Sequence, residues 1–223
     1  MGRRALIGLA VVVLLAGCGG SSSNGEAKKS AEQVVSDAQQ AAINASSVHV
    51  TGSITDNGTP LTLDLTLVKG QKGKGTLAER GLKFDLIRVG DTVYIKGSDA
   101  FLKQFAGAGA ATLLHDKWLK GSATNGQLAA LAPLTDAEAL FKAALGQHGK
   151  LANKGETDFQ GQKVVEIDDT TQGGKLYVAA TGDPLPVALH GSKQQGSVSF
   201  SDWNAGATVE APKGAIDLST LGK

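Results

Sequence analysis

The chain has 223 residues, with 22 basic and 21 acidic side chains, 30 glycines, one cysteine and 4% aromatic residues. That balance excludes a strongly basic nucleic-acid binder, which needs a cationic patch. A single cysteine also excludes an internal disulfide framework.

The first residues read as an export address. Met1-Gly-Arg-Arg4 is a short basic stretch, followed by the apolar run Ala5–Ala16. This is the layout of a secretory signal, and the run is shorter than the roughly 20 residues that span a bilayer. It ends at Leu15-Ala16-Gly17-Cys18, small residues just before a cysteine. The expectation is a signal peptide over 1–17, cleavage before Cys18, and attachment of acyl chains such as palmitate to that cysteine. Two or more chains give stable anchoring, so the expected location is the extracytoplasmic face of the cell membrane. Arg3-Arg4 loosely resembles a twin-arginine signal, and ordinary unfolded export stays open beside it. Gly19–Gly25 is polar and glycine-serine rich, so residues 18–29 are expected to be a flexible tether. Without Arg3 and Arg4, 20 basic residues face 21 acidic ones. Residues 30–223 have the length of one domain, enough for a real hydrophobic core.

Ser30-Ala-Glu-Gln33 is a capping box. It opens a helix whose apolar face carries Val34, Val35, Ala38, Ala41, Ala42 and Ala45. Val48, Val50, Gly52 and Ile54 alternate with polar residues, and Asp56-Asn57-Gly58 marks a turn. Leu61, Leu63, Leu65 and Leu67 follow at period two, which puts all four on one face of a sheet. Gly70–Gly75 reads as a turn. Strands are expected over 76–80, 82–89 and 92–96.

The middle is helical in spacing. A helix is expected over Asp99–His115 around Phe101, Leu102 and Phe105, weakened at Gly107 and Gly109. Lys117–Gly121 leads to a short helix near Gln127–Leu131. Thr135-Asp-Ala-Glu138 is a second capping-box pattern, opening a helix with Leu140, Phe141, Ala144 and Leu145 on its apolar face and Gly146 at its end. Strands are expected again over 150–158, 163–168, 175–179, 185–189, 197–201 and 208–211. Short strands in tight succession with segregated helices indicate an antiparallel α+β fold.

This order resembles the LppX/LprG-type lipoproteins of actinobacteria and, more distantly, the LolA/LolB lipoprotein carriers. The resemblance rests on Val48-His-Val-Thr-Gly52, Gly90-Asp-Thr-Val-Tyr-Ile95, Lys117-Trp118, Gly155–Gly161 before Val164-Val165, Phe200-Ser-Asp-Trp203 and Pro212. It implies a strongly curved antiparallel sheet, a half-barrel, with helices on its concave side. It also implies an apolar cavity that holds the acyl chains of lipids or lipoproteins. The small residues Ala106–Ala111 depart from that pattern.

Catalytic signals are sparse. His49, His115, His148 and His190 are scattered, without metal-ligand spacing. Asp168 and Asp169 are adjacent on a strand and point to opposite faces. There is no Gly-x-Ser-x-Gly elbow and no phosphate loop. The chain is therefore expected to be no enzyme and to need no cofactor, although a Ser, His and Asp brought together by folding would revive a hydrolase.

What remains is apolar surface. The candidate cavity-lining residues are Leu61, Leu63, Leu65, Leu67, Leu82, Phe84, Leu86, Val93 and Ile95 on the sheet. Phe101, Leu102, Phe105, Leu140 and Phe141 face them from the helices, with Leu113, Leu114 and Leu145 as further helical partners. The same residues would serve equally as packed core. Burying a 16-carbon chain is worth on the order of 12 kcal/mol at about 0.8 per CH2, and carriage needs no catalytic residue. The function expected is binding or transport of a lipid or glycolipid. The alternative is an envelope sensor or assembly module that binds another lipoprotein or envelope protein.

Overall fold

The computed structural model describes residues 22–56, 58–192 and 195–220; the expected signal stretch and Cys18 lie outside them. Ser30 caps helix α1 (Ala31–Asn44) as its sequence demands. Its Oγ accepts the Gln33 N–H at 3.2 Å, and Gln33 Oε1 accepts the Ser30 N–H at 3.1 Å. Two orphan donors of the first turn are thereby satisfied. Val34, Val35, Ala38 and Ala42 are buried along one face.

The chain then runs as a meander: β1 (Ser47–Asp56), β2 (Thr59–Val68), β3 (Lys72–Glu79), β4 (Leu82–Val89) and β5 (Thr92–Gly97). Leu63, Leu65 and Leu67 are buried while Thr62 and Asp64 are exposed, the alternation expected of a half-buried strand. The expected turn over Gly70–Gly75 is shorter, because β3 starts at Lys72 and takes in Gly73 and Gly75. A Cβ on Gly75 would stand 2.0 Å from Asp64 O, and one on Gly52 in β1 would stand 2.2 Å from Ser197 O. Only glycine permits so close a neighbour, and strand-interior glycines are where a curved sheet takes its bend.

The single helix expected over 99–115 is two, α2 (Asp99–Ala106) and α3 (Ala108–Leu114). They break at Gly107, whose φ of 85° is open to glycine without strain. After β6 (Leu119–Ser122), the short helix expected near 127–131 is a 3-10 helix, Ala129–Thr135. Helix α4 (Ala137–Gly146) is capped by Asp136 rather than Thr135. Asp136 Oδ1 accepts the Ala139 N–H at 3.1 Å, while the Thr135 hydroxyl is spent on Ala132 O at 2.9 Å.

A second meander follows: β7 (Leu151–Phe159), β8 (Gln162–Asp169), β9 (Gly174–Ala179), β10 (Pro186–Gly191) and β11 (Gly196–Ser201). β11 pairs with β1, which joins the two meanders into one curved, unclosed sheet. The strand expected over 208–211 does not form. Val209 is buried there without a ladder partner among the described strands. Instead β12 (Ile216–Asp217) pairs in parallel with β6, so the sheet is mixed rather than wholly antiparallel. Its order is β12-β6-β5-β4-β3-β2-β1-β11-β10-β9-β8-β7. The helices pack on the concave side around one continuous apolar core.

The stretch expected to be a tether is packed from Ser23 onward. Ser23 bridges to Thr181, Asn24 N–H donates to Ala180 O at 2.8 Å, and Glu26–Lys28 forms a 3-10 turn.

Candidate functional site

Folding brings the candidate lining residues together as a packed core. Leu63, Leu65, Leu67, Phe84, Leu86, Val93, Ile95, Leu102 and Phe141 are buried. Leu61, Phe101, Phe105 and Leu140 are half-buried against them, while half-buried Leu82 stands apart from that core. Aromatic contacts fill the space: Phe84 to Phe101 at 4.7 Å, Phe101 to Phe105 at 5.3 Å, and Phe141 to Phe200 at 5.1 Å between ring centroids. Of the further helical partners, Leu114 and Leu145 are buried, whereas Leu113 is 77% exposed.

A cavity of about 140 Å³ lies elsewhere on the concave side, between α1, the C-terminal end of α4, and β8 to β10. Val35, Leu145, Leu151, Ile167, Leu176 and Leu189 give it an apolar floor. Gln147, His148, Asp169, Gln172 and Gln195 stand around its mouth, and of the fourteen candidate residues none lines it. Strand alternation supplies the floor: Ile167 and Leu176, cross-strand partners in β8 and β9, point inward together. Their neighbours Asp168 and Lys175 point outward, where Lys175 pairs with Glu166 and with Asp168. Those carboxylates push the Lys175 ammonium up to about 12, the Glu166 hydrogen bond contributing most.

Asp169 shapes the mouth. Its Oδ1 accepts the N–H groups of Thr171 and Gln172 at 2.9 and 2.8 Å, and its Oδ2 accepts the Gly149 N–H at 2.7 Å. One carboxylate thus ties the segment after α4 to the β8–β9 turn. These backbone donors, Gln172 first and Gly149 next, hold its carboxyl below the ordinary range. An apolar floor under a polar rim suits an amphiphile. A dry cavity of about 150 Å³ admits benzene, so this one has room for about six carbons.

Arg88 is the site-shaping residue that the sequence reading passed over. Period-two alternation places it on the inner face of β4 with Phe84 and Leu86, and it is only 6% exposed. Its Nε donates to Gly90 O at 2.8 Å and its Nη1 to Ala132 O at 3.0 Å, with Asp136 Oδ2 at 3.6 Å. The guanidinium therefore fastens the 3-10 helix and the cap of α4 to the sheet. Its place in the Phe84-x-Leu86-x-Arg88 alternation was the available signal.

A serine, a histidine and an aspartate do converge, at a place their spacing hid. His49 Nε2 lies 2.8 Å from Asp64 Oδ1, and Ser201 Oγ lies 3.4 Å from His49 Nδ1. A hydrolytic triad needs a shielded acid and preorganised oxyanion donors. Asp64 is instead 69% exposed. The Ser201 hydroxyl also has a second acceptor in Asp202 Oδ2 at 3.3 Å. The cluster is an exposed polar network on the outer face of β1, β2 and β11. Among the described residues no three His, Cys, Asp or Glu side chains are grouped to hold a metal ion.

Solved structures share this architecture. LprF from Mycobacterium bovis superposes with a TM-score of 0.56 at 16% identity, covering 87% of this chain and 100% of that one. The lipoprotein LppX from Mycobacterium tuberculosis gives 0.51 at 15% identity, covering 81% of this chain and 98% of that one. The fold is that of LprF and LppX. At such identities the likeness is one of fold. No family model matches the sequence, and no curated protein matches it. Among the described residues no helix is long and apolar enough to cross a membrane.

Proposed function

We propose that the protein is an exported lipoprotein, held by acyl chains on Cys18 at the extracytoplasmic face of the cell membrane, that binds the acyl part of a lipid or glycolipid inside its half-barrel. The observation that carries this reading is the cavity between α4 and β8–β10, with its apolar floor and its rim ordered by Asp169. Its place beneath helices on the concave side of an LppX-like sheet supports the same reading. About six buried carbons at about 0.8 kcal/mol each contribute on the order of 5 kcal/mol. That holds a chain end reversibly. Deeper insertion requires α4 to shift from the sheet, against the hold of Arg88.

A second reading, a module that binds another envelope protein, is favoured by Leu113. It is an exposed leucine in the uncharged run Gln104–Leu114.

Intact-mass measurement of the detergent-extracted protein tests the first reading. The expected result is a chain beginning at Cys18 with acyl mass on it and one co-purifying amphiphile. A soluble chain that retains residues 1–17 and carries no amphiphile would overturn it.

A further inference from the structure

The segment Ser23–Lys29 is fastened along its whole length: it begins at the Ala179–Gly182 end of the sheet and runs along β7 to Asn153. The Ser23 hydroxyl donates to Glu156 at 2.7 Å, and Asn24 Nδ2 donates to Ala179 O and Gly182 O at 2.9 and 3.1 Å. Asn153 Nδ2 reaches the carbonyls of Glu26 and Lys29 at 3.3 and 2.9 Å. Glu26 is buried, with its Oε1 on Lys29, which also pairs with Asp37; both distances are 2.7 Å. The end where Ser23 docks carries the β7–β8 turn and the β9–β10 turn, since Ala180 N–H donates to Lys163 O at 3.0 Å. The cavity mouth is at the opposite end, at the β8–β9 and β10–β11 turns, with Gln172 and Gln195 on its rim. From Thr181 back to Gly174 along β9 is about 24 Å at 3.4 Å per residue.

Resting on the reading that Cys18 is acylated, we infer that this strap seats the end of the sheet bearing the 159–162 and 181–185 turns on the anchoring bilayer, so that the cavity mouth faces away from it. The argument is one of chain length. Only five residue steps separate Cys18 from Ser23, and they span at most about 18 Å whatever their conformation. That is less than the distance from docked Ser23 to the mouth, so the mouth cannot be turned onto the membrane while Ser23 and Asn24 hold the start of the strap. Undocked to Ser30, the leash would have twelve steps and about 42 Å, and both orientations would open. The seated end suits headgroup contact. Gln160, Gly161, Gln162 and Gly182 are exposed and uncharged, Lys163 is paired with Asp158 at 2.9 Å, and Asp183 is an exposed acid in the β9–β10 turn. The ligand is therefore exchanged with a partner or surface on the far side, not with the membrane that carries the protein.

The lipidated full-length mature protein, with a fluorophore at Gln162→Cys or Gln172→Cys, is placed on phosphatidylethanolamine–phosphatidylglycerol vesicles containing a headgroup-attached quencher. Gln162 opens β8, and Gln172 lies in the turn beyond its other end. The expected result is strong quenching at 162 and none at 172, with full loss of that asymmetry when Asn24→Ala and Asn153→Ala release the strap. Circular dichroism and the unfolding midpoint confirm that the variants are folded. Equal quenching at both positions with the strap intact overturns the orientation, as does an asymmetry that survives strap release. Intact mass and bound amphiphile are read on the same sample. A lipidated, loaded protein with equal quenching sinks the orientation alone, whereas an unlipidated chain that ignores vesicles sinks the reading beneath it as well.

Discussion

The Arg88 guanidinium lies 3.6 Å from the Asp136 carboxylate that caps α4, and both are shielded beneath the helical layer. A cation on the inner face of a sheet is costly unless it is fully engaged, and Arg88 is engaged by Gly90 O, Ala132 O and Asp136 together. Arg88→Ala removes the guanidinium from Gly90 O, Ala132 O and Asp136 and leaves the Asp136 carboxylate without its cation. Urea denaturation should show a loss of about 3 kcal/mol, the scale for breaking a buried charged pair from one side. Loss within the error of a surface substitution would show that the guanidinium fastens nothing.

Leu65 is buried in the core, on β2, with β1 and β11 between it and the nearest cavity strand, β10. Leu65→Ala should cost about 3 kcal/mol, as buried leucine truncations do. Amphiphile binding by the folded fraction should be unchanged. Titration of ligand against the variant below its unfolding transition checks this.

Gly75 has no room for a side chain, because its Cβ would sit 2.0 Å from Asp64 O. Gly75→Ala should therefore push β3 away from β2 and destabilise the domain by about 3 kcal/mol, at the upper end for overpacking. Gly81→Ala, at a hairpin position whose surroundings are open, should cost only the strain of its positive φ, about 1 kcal/mol. Equal losses in the two variants would remove the close approach as the cause.

The pH dependence at the cavity mouth follows from Asp169. Its folded pKa lies below the ordinary 3.8, chiefly because of the Gln172 and Gly149 N–H groups. A carboxyl depressed on folding contributes stability that is present above 3.8 and is lost as pH falls through the folded value. Amide shifts of Gly149, Thr171 and Gln172 should titrate together in that acidic window, and Asp169→Ala should abolish the titration. At neutral pH the same variant should loosen the rim and weaken amphiphile binding.

Much of the fold was legible in local pattern. The Ser30–Gln33 box and the alternation of Leu63, Leu65 and Leu67 need only neighbours in sequence, and both stand as read. Gly73 and Gly75 misled because glycine signals a turn and a strand bend with the same letter, and only the neighbouring strand distinguishes them. Thr135 lost its cap to Asp136 because its hydroxyl had a closer use at Ala132 O. Val209 was apolar in an alternating stretch for packing, not for pairing. The cavity was the least legible feature. Its floor joins Val35, Leu145, Ile167 and Leu189 from four elements. Whether such apolar residues meet or leave a gap depends on how far α4 stands from β8 to β10, which no periodicity encodes.

The central claim is that the cavity beneath α4 takes an acyl chain, and native mass spectrometry tests it most directly. The chain from Gly19 onward is measured before and after incubation with envelope phospholipid vesicles, beside Leu189→Trp, which fills the cavity. One bound amphiphile per wild-type chain is expected, and none on a Leu189→Trp variant with an unchanged unfolding midpoint. A wild-type domain that stays bare, or a variant that loads equally, would contradict the account.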